Sequence, residues 1–172
     1  ATNTDRTLTL PDEAGTVLTS ASSLASANLT GTVAASALPA GSVIQVVNSA
    51  TNTQFLTTSN SYVSTGFSAS ITPTSSTSKI LVIYGCGGVE SSVAGGPKGS
   101  IQIWKGGSSI FTVSSSILYG SQGSAGPSAS FFDTPATTSA VTYTLYFSAI
   151  AGTFYVGTNS SSNTITLMEI AV

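Results

Sequence analysis

The feature that most constrains this chain is a run of 65 residues, from 14 to 78, without a charged side chain. The whole chain of 172 residues contains 32 serines and 26 threonines. Charged side chains provide most of the general acids, general bases and metal ligands of proteins. A chain with so few of them is poorly equipped for catalysis, and its composition favours shape, adhesion and assembly.

Disorder is the first alternative for a chain so rich in serine, threonine and glycine. The composition argues against it, because 41% of the residues are hydrophobic and the mean hydropathy is +0.35. A chain of 172 residues is long enough for one domain, or one domain with an extension, around a substantial core. We therefore expect the chain to fold.

The few charged residues also limit the partners. The net charge is −2, and the four cations, Arg6, Lys79, Lys98 and Lys105, are scattered, which argues against nucleic-acid binding. No apolar stretch approaches the ~18 residues that span a bilayer, so membrane insertion is not expected. Because 6% charged residues is far below the ~25% of ordinary domains, we expect self-association. A secreted surface protein of low charge is the alternative.

Residues 1–40 differ from the rest, since they contain no aromatic residue and alternate short apolar pairs with polar turns. Isolated strands with little apolar surface are unstable in water, so this segment needs a partner to become ordered. Three copies winding about a common axis would provide that partner. We interpret residues 1–40 as an extended shaft that intertwines in a trimer, with a disordered linker as the alternative.

From residue 41 onward, strand patterns recur between glycine, serine, asparagine and proline turns. They predict an all-β domain over residues 41–172, a β-sandwich or jelly roll of eight to ten strands. The predicted strands cover residues 42–47, 53–58, 62–71, 79–84, 100–105, 109–113, 141–150, 153–156 and 164–172. Residues 53–58 are expected to pair with the segment that follows them, whereas residues 85–99 and 119–130 are expected to be glycine-rich loops.

Two of these strands have informative patterns. Residues 79–84 form a nearly continuous apolar run, typical of a strand that is covered on both faces. Residues 141–150 alternate instead, with Tyr143, Leu145 and Phe147 on one face and Thr144 and Tyr146 on the other.

Catalytic residues are difficult to find. The chain has no histidine, so none of its serines has the usual base for activation, and Cys86 is better explained as a buried structural thiol. Glu90 and Asp133 are the one pair of carboxylates on expected loops of the same domain, which leaves a glycosidase as a weak alternative. We predict no enzyme activity, no metal site and no cofactor, although an ion on an oligomer axis stays possible.

Sugar binding fits the available residues better, because aromatic rings and neutral hydrogen-bonding groups are suited to contact with sugars. The candidates are Tyr84, Trp104, Tyr119 and Gln122, in or beside the predicted loops. The alternative for Trp104 and Tyr84 is a place in the core or in an interface.

Two sets of short segments resemble those of a known protein family. Residues 8–18, 28–34 and 38–39 are similar to shaft motifs in the tail fibres of aquatic bacteriophages. Residues 41–47, 71–73, 78–82, 132–135, 138–144 and 164–170 are similar to the C-terminal domain that often follows such shafts. Each motif is short, and their order along one chain carries the resemblance.

The resemblance implies a homotrimeric fibre tip on the virion surface, where a β-domain contacts host polysaccharide without catalysis and other virion proteins anchor the fibre. It implies no catalytic residues. The structural alternative is a capsid decoration or head-fibre subunit that does not bind a receptor. The enzymatic alternative is a polysaccharide depolymerase.

Overall fold

The computed structural model describes residues 34, 37–93, 99–114, 126–158 and 161–172. All of them belong to one compact unit, residues 33–172, and residues 1–32 lie outside the described part. The shaft predicted for residues 1–40 falls almost entirely outside the described residues and stays a prediction. The β-domain predicted for residues 41–172 can be compared with the structure directly.

The described residues form eleven strands and no α-helix, so the domain is all-β, as the sequence predicts. The strands are β1 (Val43–Thr51), β2 (Phe55–Thr57), β3 (Val63–Ile71), β4 (Lys79–Gly85), β5 (Val89–Ser91), β6 (Gly99–Lys105), β7 (Ser108–Ser114), β8 (Ser128–Asp133), β9 (Val141–Ala149), β10 (Phe154–Val156) and β11 (Asn163–Ile170).

Two four-stranded antiparallel sheets make up most of the domain. The first sheet has the order β1-β11-β4-β8, and the second has the order β3-β9-β6-β7. When the three-residue strands β2, β5 and β10 are set aside, eight strands remain, in the orders first-eighth-third-sixth and second-seventh-fourth-fifth. This is the strand order of a jelly roll, in which two Greek keys form two packed sheets.

The core lies between the two sheets and is built from alternate side chains of their strands. Ile80, Val82 and Tyr84 of β4 are fully buried there, and alternate residues of β9 and β11 are buried in the same way. The alternation predicted for β9 is confirmed, because Tyr143, Leu145 and Phe147 are buried. Apolar burial of this kind is the main favourable term in folding.

The short strands form a small sheet of order β2-β10-β5. Phe154 of β10 is fully buried, and a Cβ atom on Gly99 would lie 2.4 Å from its ring. Only glycine therefore fits at the start of β6, where the backbone passes directly over this ring. The β6–β7 hairpin turns at Gly106 and Gly107, both with positive φ, as the sequence predicts.

Two expectations about individual strands are wrong, and a third is met on one face only. Residues 55–57 pair with β10 and not with the segment that follows them. Strands β5 and β8 lie where glycine-rich loops were expected, because pairing with β10 and β4 orders residues of weak intrinsic preference. The apolar run in β4 is not covered on both faces within this chain, since Leu81 and Ile83 on its second face are only partly buried.

Candidate functional site

Tyr84, one of the four predicted sugar-binding residues, lies in the core. Its side chain is fully buried, and its hydroxyl donates a hydrogen bond to Asn163 Oδ1 at 3.3 Å. Burial, followed by the charge and the hydrogen bond of the neighbouring Cys86, raises the pKa of Tyr84 well above its ordinary value. Tyr84 is therefore a core residue, which is the alternative that the sequence left open, and its ring does not face a ligand at the surface.

Trp104, the second predicted residue that the structure describes, belongs to an aromatic cluster on the outer face of the second sheet. The cluster consists of Tyr62, Trp104 and Tyr146, all partly buried. Trp104 and Tyr146 stack with ring centroids 4.2 Å apart and planes 12° from parallel, and Tyr62 lies 6.4 Å from Trp104. Stacked rings of this geometry stabilise each other beyond the area they bury.

Polar neighbours hold the aromatic cluster in place. Trp104 Nε1 donates to Gln102 Oε1 at 2.9 Å, and Gln102 Nε2 donates to Thr112 Oγ1 at 3.2 Å. The Tyr62 hydroxyl lies 2.6 Å from Ser100 Oγ, which itself donates to the Ser114 carbonyl. Aromatic rings and neutral amide and hydroxyl groups therefore meet on one face of the domain.

Sequence reasoning identified one member of this cluster. It placed Tyr146 on the face of β9 opposite Tyr143 but did not bring it to Trp104, because that contact depends on the pairing of β6 with β9. Gln102 could have been suspected, since residues two apart on a strand share a face and Gln102 precedes Trp104 by two. Tyr119 and Gln122, the other two predicted sugar-binding residues, lie outside the described residues.

Asp133 connects the two sheets at one edge of the sandwich. Lys105 Nζ lies 2.8 and 2.6 Å from its two carboxylate oxygens, and the Tyr143 hydroxyl donates to Oδ2 at 2.7 Å. Burial, then the hydrogen bond to Asp133 and its charge, raise the pKa of Tyr143 well above its ordinary value. Next to this group, Phe111 of β7 and Phe131 of β8 stack with centroids 4.3 Å apart.

Glu90 and Asp133, the candidate pair of catalytic carboxylates, lie towards opposite ends of β4. Asp133 pairs with Ile80 near the start of β4, while Glu90 follows the far end of β4 by five residues and pairs with Tyr155. Both oxygens of Asp133 are engaged by Lys105 and Tyr143. Asp133 therefore links β8 of the first sheet to β6 and β9 of the second sheet.

Glu169 is a fully buried carboxylate near the end of β11. Its oxygens accept hydrogen bonds from Gln45 Nε2 at 2.6 Å and from the Thr74 amide and hydroxyl at 2.7 and 2.8 Å. Burial raises its pKa, but hydrogen bonds from Gln45, Ser78 and Thr74 outweigh burial and leave the pKa below the ordinary value of 4.5. A groove of about 490 Å³ lies beside this network and is lined by Leu38, Ile44, Thr74, Ser75, Thr77, Ser78, Ala171 and Val172.

Cys86 is partly buried and its Sγ donates to the Gly88 carbonyl at 3.3 Å. The neighbouring Asn163 is fully buried, and its Nδ2 atom has no hydrogen-bond partner within the described part of the chain. The described residues contain no group of three or more histidine, cysteine, aspartate or glutamate side chains that could hold a metal ion. They also include no helix with the length and apolar character needed to cross a membrane.

The outer face of the first sheet is apolar at one end and polar at the other, where Asn48 Nδ2 donates to Thr166 Oγ1 at 2.7 Å. Four side chains, one from each strand, lie side by side in register across it: Val46, Met168, Leu81 and Phe132. We call these four residues the apolar row. Val46 and Phe132, on the two edge strands, are 54% and 61% exposed, and Val43, Ile83 and Ile170 extend the apolar surface beside them.

Charge is scarce on this domain. The described residues include five charged side chains, of which Glu169 is buried and Lys105 and Asp133 form an ion pair. Lys79 and Glu90 are the two exposed ones in the described ranges. The described surface therefore carries little charge of either sign to repel another copy of itself.

No protein-family model and no curated protein matches this sequence. Solved structures do match it in part. A VP2 subviral particle of infectious bursal disease virus matches at 12% identity and a TM-score of 0.49, over 74% of this chain and 32% of that chain. T=1 particles derived from the same virus match at 14% identity and 0.46, over 74% and 36%. The Gx strain of the virus matches at 13% identity and 0.43, over 76% and 39%.

The chain spans about a third of the length of these solved chains. The TM-scores of these matches are all below 0.5, and their identities are 12 to 14%. The function of this chain does not follow from these matches.

Proposed function

We propose that this chain is a structural, non-catalytic subunit of a virus particle that assembles with copies of itself and is exposed on the particle surface. The observation that carries the proposal is the lack of charge on a folded domain: two exposed charged side chains in the described residues, together with the exposed apolar row. Exposed apolar surface with so little charge favours association over a free monomer. The jelly roll supports the proposal at the level of analogy, since viral capsid and lectin domains often use it.

Within that role, we assign the chain to the tip of a homotrimeric tail fibre. This assignment is supported by the order of sequence motifs that resemble aquatic phage fibres, with residues 1–40 as the shaft. Native mass spectrometry of the 172-residue chain at micromolar concentration should give three times the monomer mass of 17.1 kDa. A monomer would overturn self-association, and another oligomer would overturn the trimer alone.

The place of the chain on the particle separates a tail fibre from its structural rival. Gold-labelled antibody against this chain should decorate the tail tips of intact particles of the virus that encodes it. Labelling of the head would instead support a capsid decoration or head-fibre subunit. In either result the chain is a virion component, whereas particles without the chain would contradict the proposal itself.

We further propose that the fibre tip binds host surface polysaccharide through neutral contacts. The aromatic cluster supports this proposal, because Trp104 and Tyr146 present partly exposed rings beside the Gln102 amide. Tyr119 and Gln122 remain candidates from the sequence.

Binding of the fluorescent chain to a panel of bacterial surface polysaccharides tests this proposal. Trp104→Ala, Tyr119→Ala and Gln122→Ala should each weaken binding without loss of the oligomer. Leu56→Ala is the control, since Leu56 is 61% exposed on β2, which belongs to the small sheet. Equal binding by all four variants would contradict these positions, and release of oligosaccharide during incubation would favour a depolymerase.

A further inference from the structure

One part of the outer face of the first sheet is apolar and lies open in the single chain, beside a part that carries the polar side chains of Asn48, Thr166 and Ser130. The apolar row crosses all four strands without interruption, and its two ends, Val46 and Phe132, expose more than half of their side chains. Contiguous exposed apolar patches on soluble proteins usually mark a site of interaction.

The sequence of β4 points in the same direction. Residues 80–84 are apolar at every position, which is typical of a strand with both faces covered. The second sheet covers one face, where Ile80, Val82 and Tyr84 are fully buried. On the other face, Leu81 and Ile83 remain partly exposed. A second layer of protein over this face would bury Leu81 and Ile83 as well.

The charge on this face identifies the kind of partner. Lys79 is the one charged residue at its outward positions in the described strands, and it lies beside Ile170 at the corner. A complementary partner therefore needs an uncharged, apolar surface of similar width. The same face of another copy of this chain meets that requirement.

The size of the face also fits an interface between copies. Four strands about 4.8 Å apart and eight residues that rise about 3.3 Å each give the whole face, with its apolar and polar parts together, a projected area of roughly 500 Å². Burial of that area on each of two partners amounts to about 1,000 Å² in total, the lower bound for a specific interface.

We infer that a second copy of this chain covers the apolar face of the first sheet, with the Val46 edge of one copy against the Phe132 edge of the next. The inference rests on the proposed self-association and assigns it to one surface. Contact between unlike edges suits a closed ring of copies, because each copy then offers one edge and accepts the other.

The experiment places one negative charge at either end of the apolar row of the full chain. Val46→Glu and Phe132→Glu should each abolish the oligomer in sedimentation velocity at micromolar concentration, with a dissociation constant raised about 100-fold or more. Leu56→Glu is the matched control, because Leu56 and Phe132 are both 61% exposed and Leu56 lies on β2. This control should keep the wild-type mass.

A pair of opposite charges tests which edges meet. Val46 and Phe132 lie on the two edge strands of one sheet, three strand spacings or about 14 Å apart, so they cannot pair within one copy. The double variant Val46→Glu with Phe132→Lys should recover the oligomer that Val46→Glu loses. Loss of the oligomer in both single variants without recovery in the double variant would overturn the contact between unlike edges.

The remaining outcomes separate the two proposals. A monomeric wild-type chain overturns self-association and this assignment with it. An oligomeric wild type whose two single variants keep the same mass overturns the assignment alone. If the charged variants do not fold, Val46→Cys with Phe132→Cys in a Cys86→Ser background replaces them. Mild oxidation should then link copies through a disulfide, and an oligomer that forms no such link overturns the assignment.

Discussion

The two outer faces of the sandwich differ in how much apolar surface they leave uncovered within one chain. On the second sheet, outward groups bond to one another: Ser70 Oγ lies 2.8 Å from Thr142 Oγ1, and Trp104 donates to Gln102. On the first sheet, Asn48 donates to Thr166 in the same way, but Val46 and Phe132 are more than half exposed at the two ends of the apolar row. Fold and assembly are thus distributed over different faces. The second sheet completes its outer contacts within one chain, whereas the first leaves apolar area to be covered.

Strand β11 allows the comparison within one strand, because its alternate residues face the core and the outer surface. Leu167 of β11 is fully buried between the sheets, and Met168 points to the apolar face. Leu167→Ala should lower the free energy of unfolding by about 3 kcal/mol, since it leaves a cavity in the core. Met168→Ala should cost under ~1 kcal/mol in a dissociated chain and weaken self-association instead.

Urea denaturation below the dissociation concentration, together with sedimentation, measures both effects. Equal losses of folding stability for Leu167→Ala and Met168→Ala would show that the apolar face is covered within the chain. The contrast between the two sides of β11 would then disappear.

The contacts of Asp133 with Lys105 and Tyr143, which link the two sheets, are expected to give the next largest effect on folding stability. Asp133→Asn removes the charge that Lys105 neutralises and weakens the hydrogen bond from Tyr143, so it should cost about 2 kcal/mol of folding stability. The oligomer should persist, because Asp133 points between the sheets and away from the apolar row. A cycle with Lys105→Met measures the coupling in urea denaturation, and additive losses would contradict a joint role.

Glu169 tests an interaction that is buried near the end of the first sheet. Glu169→Gln should cost about 1–2 kcal/mol at neutral pH, because an amide cannot replace a carboxylate that accepts from Gln45 and Thr74. Since the folded pKa lies below the ordinary 4.5, the carboxylate stabilises the fold above that value. This stabilisation is lost as the pH falls through the folded pKa.

Thermal unfolding of both proteins from pH 7 to pH 3 therefore shows converging stabilities on the acidic side. A difference that grows as the pH falls would contradict the lowered pKa. Comparison of the two proteins isolates Glu169 from the other carboxylates of the chain.

The smallest effect is expected on the outer face of the second sheet. Ser70→Ala removes an exposed contact between hydroxyl groups and should change the free energy of unfolding by less than ~0.5 kcal/mol. It should not change the oligomer mass. A large loss of either would show that this face, and not the first sheet, is covered by a partner.

Strand patterns in the sequence predicted most of the fold. β9 alternates because one of its faces is buried and the other carries hydroxyls and Tyr146, and the Gly106–Gly107 turn was recognised from its glycines. β8 was missed because Ser128 and Ser130 have weak strand preference and become ordered by pairing with β4. Such pairing connects residues far apart in the chain, which a local pattern does not contain.

The candidate sites were predictable to a smaller extent. Residue type alone selected Trp104 and Tyr84, but burial separates them: Tyr84 completes the alternation of β4 inside the core, and Trp104 faces outward on β6. The apolar row could not be read from the sequence, because its four members become neighbours only through the order β1-β11-β4-β8. The near absence of charge did indicate self-association as an expectation.

The central place of β11 in the first sheet has a consequence for biogenesis. β1 emerges early from the ribosome, yet its neighbour in the sheet is β11, and Gln45 bonds to Glu169 across 124 residues of chain. A nascent polypeptide that ends before β11 lacks the strand that joins β1 to β4, and leaves both with unpaired edges. Closure of the jelly roll, and with it any assembly of copies, must wait until translation has passed Ile170. Such long-range pairing also predicts slow folding, during which newly made chains expose unpaired strand edges that favour aggregation.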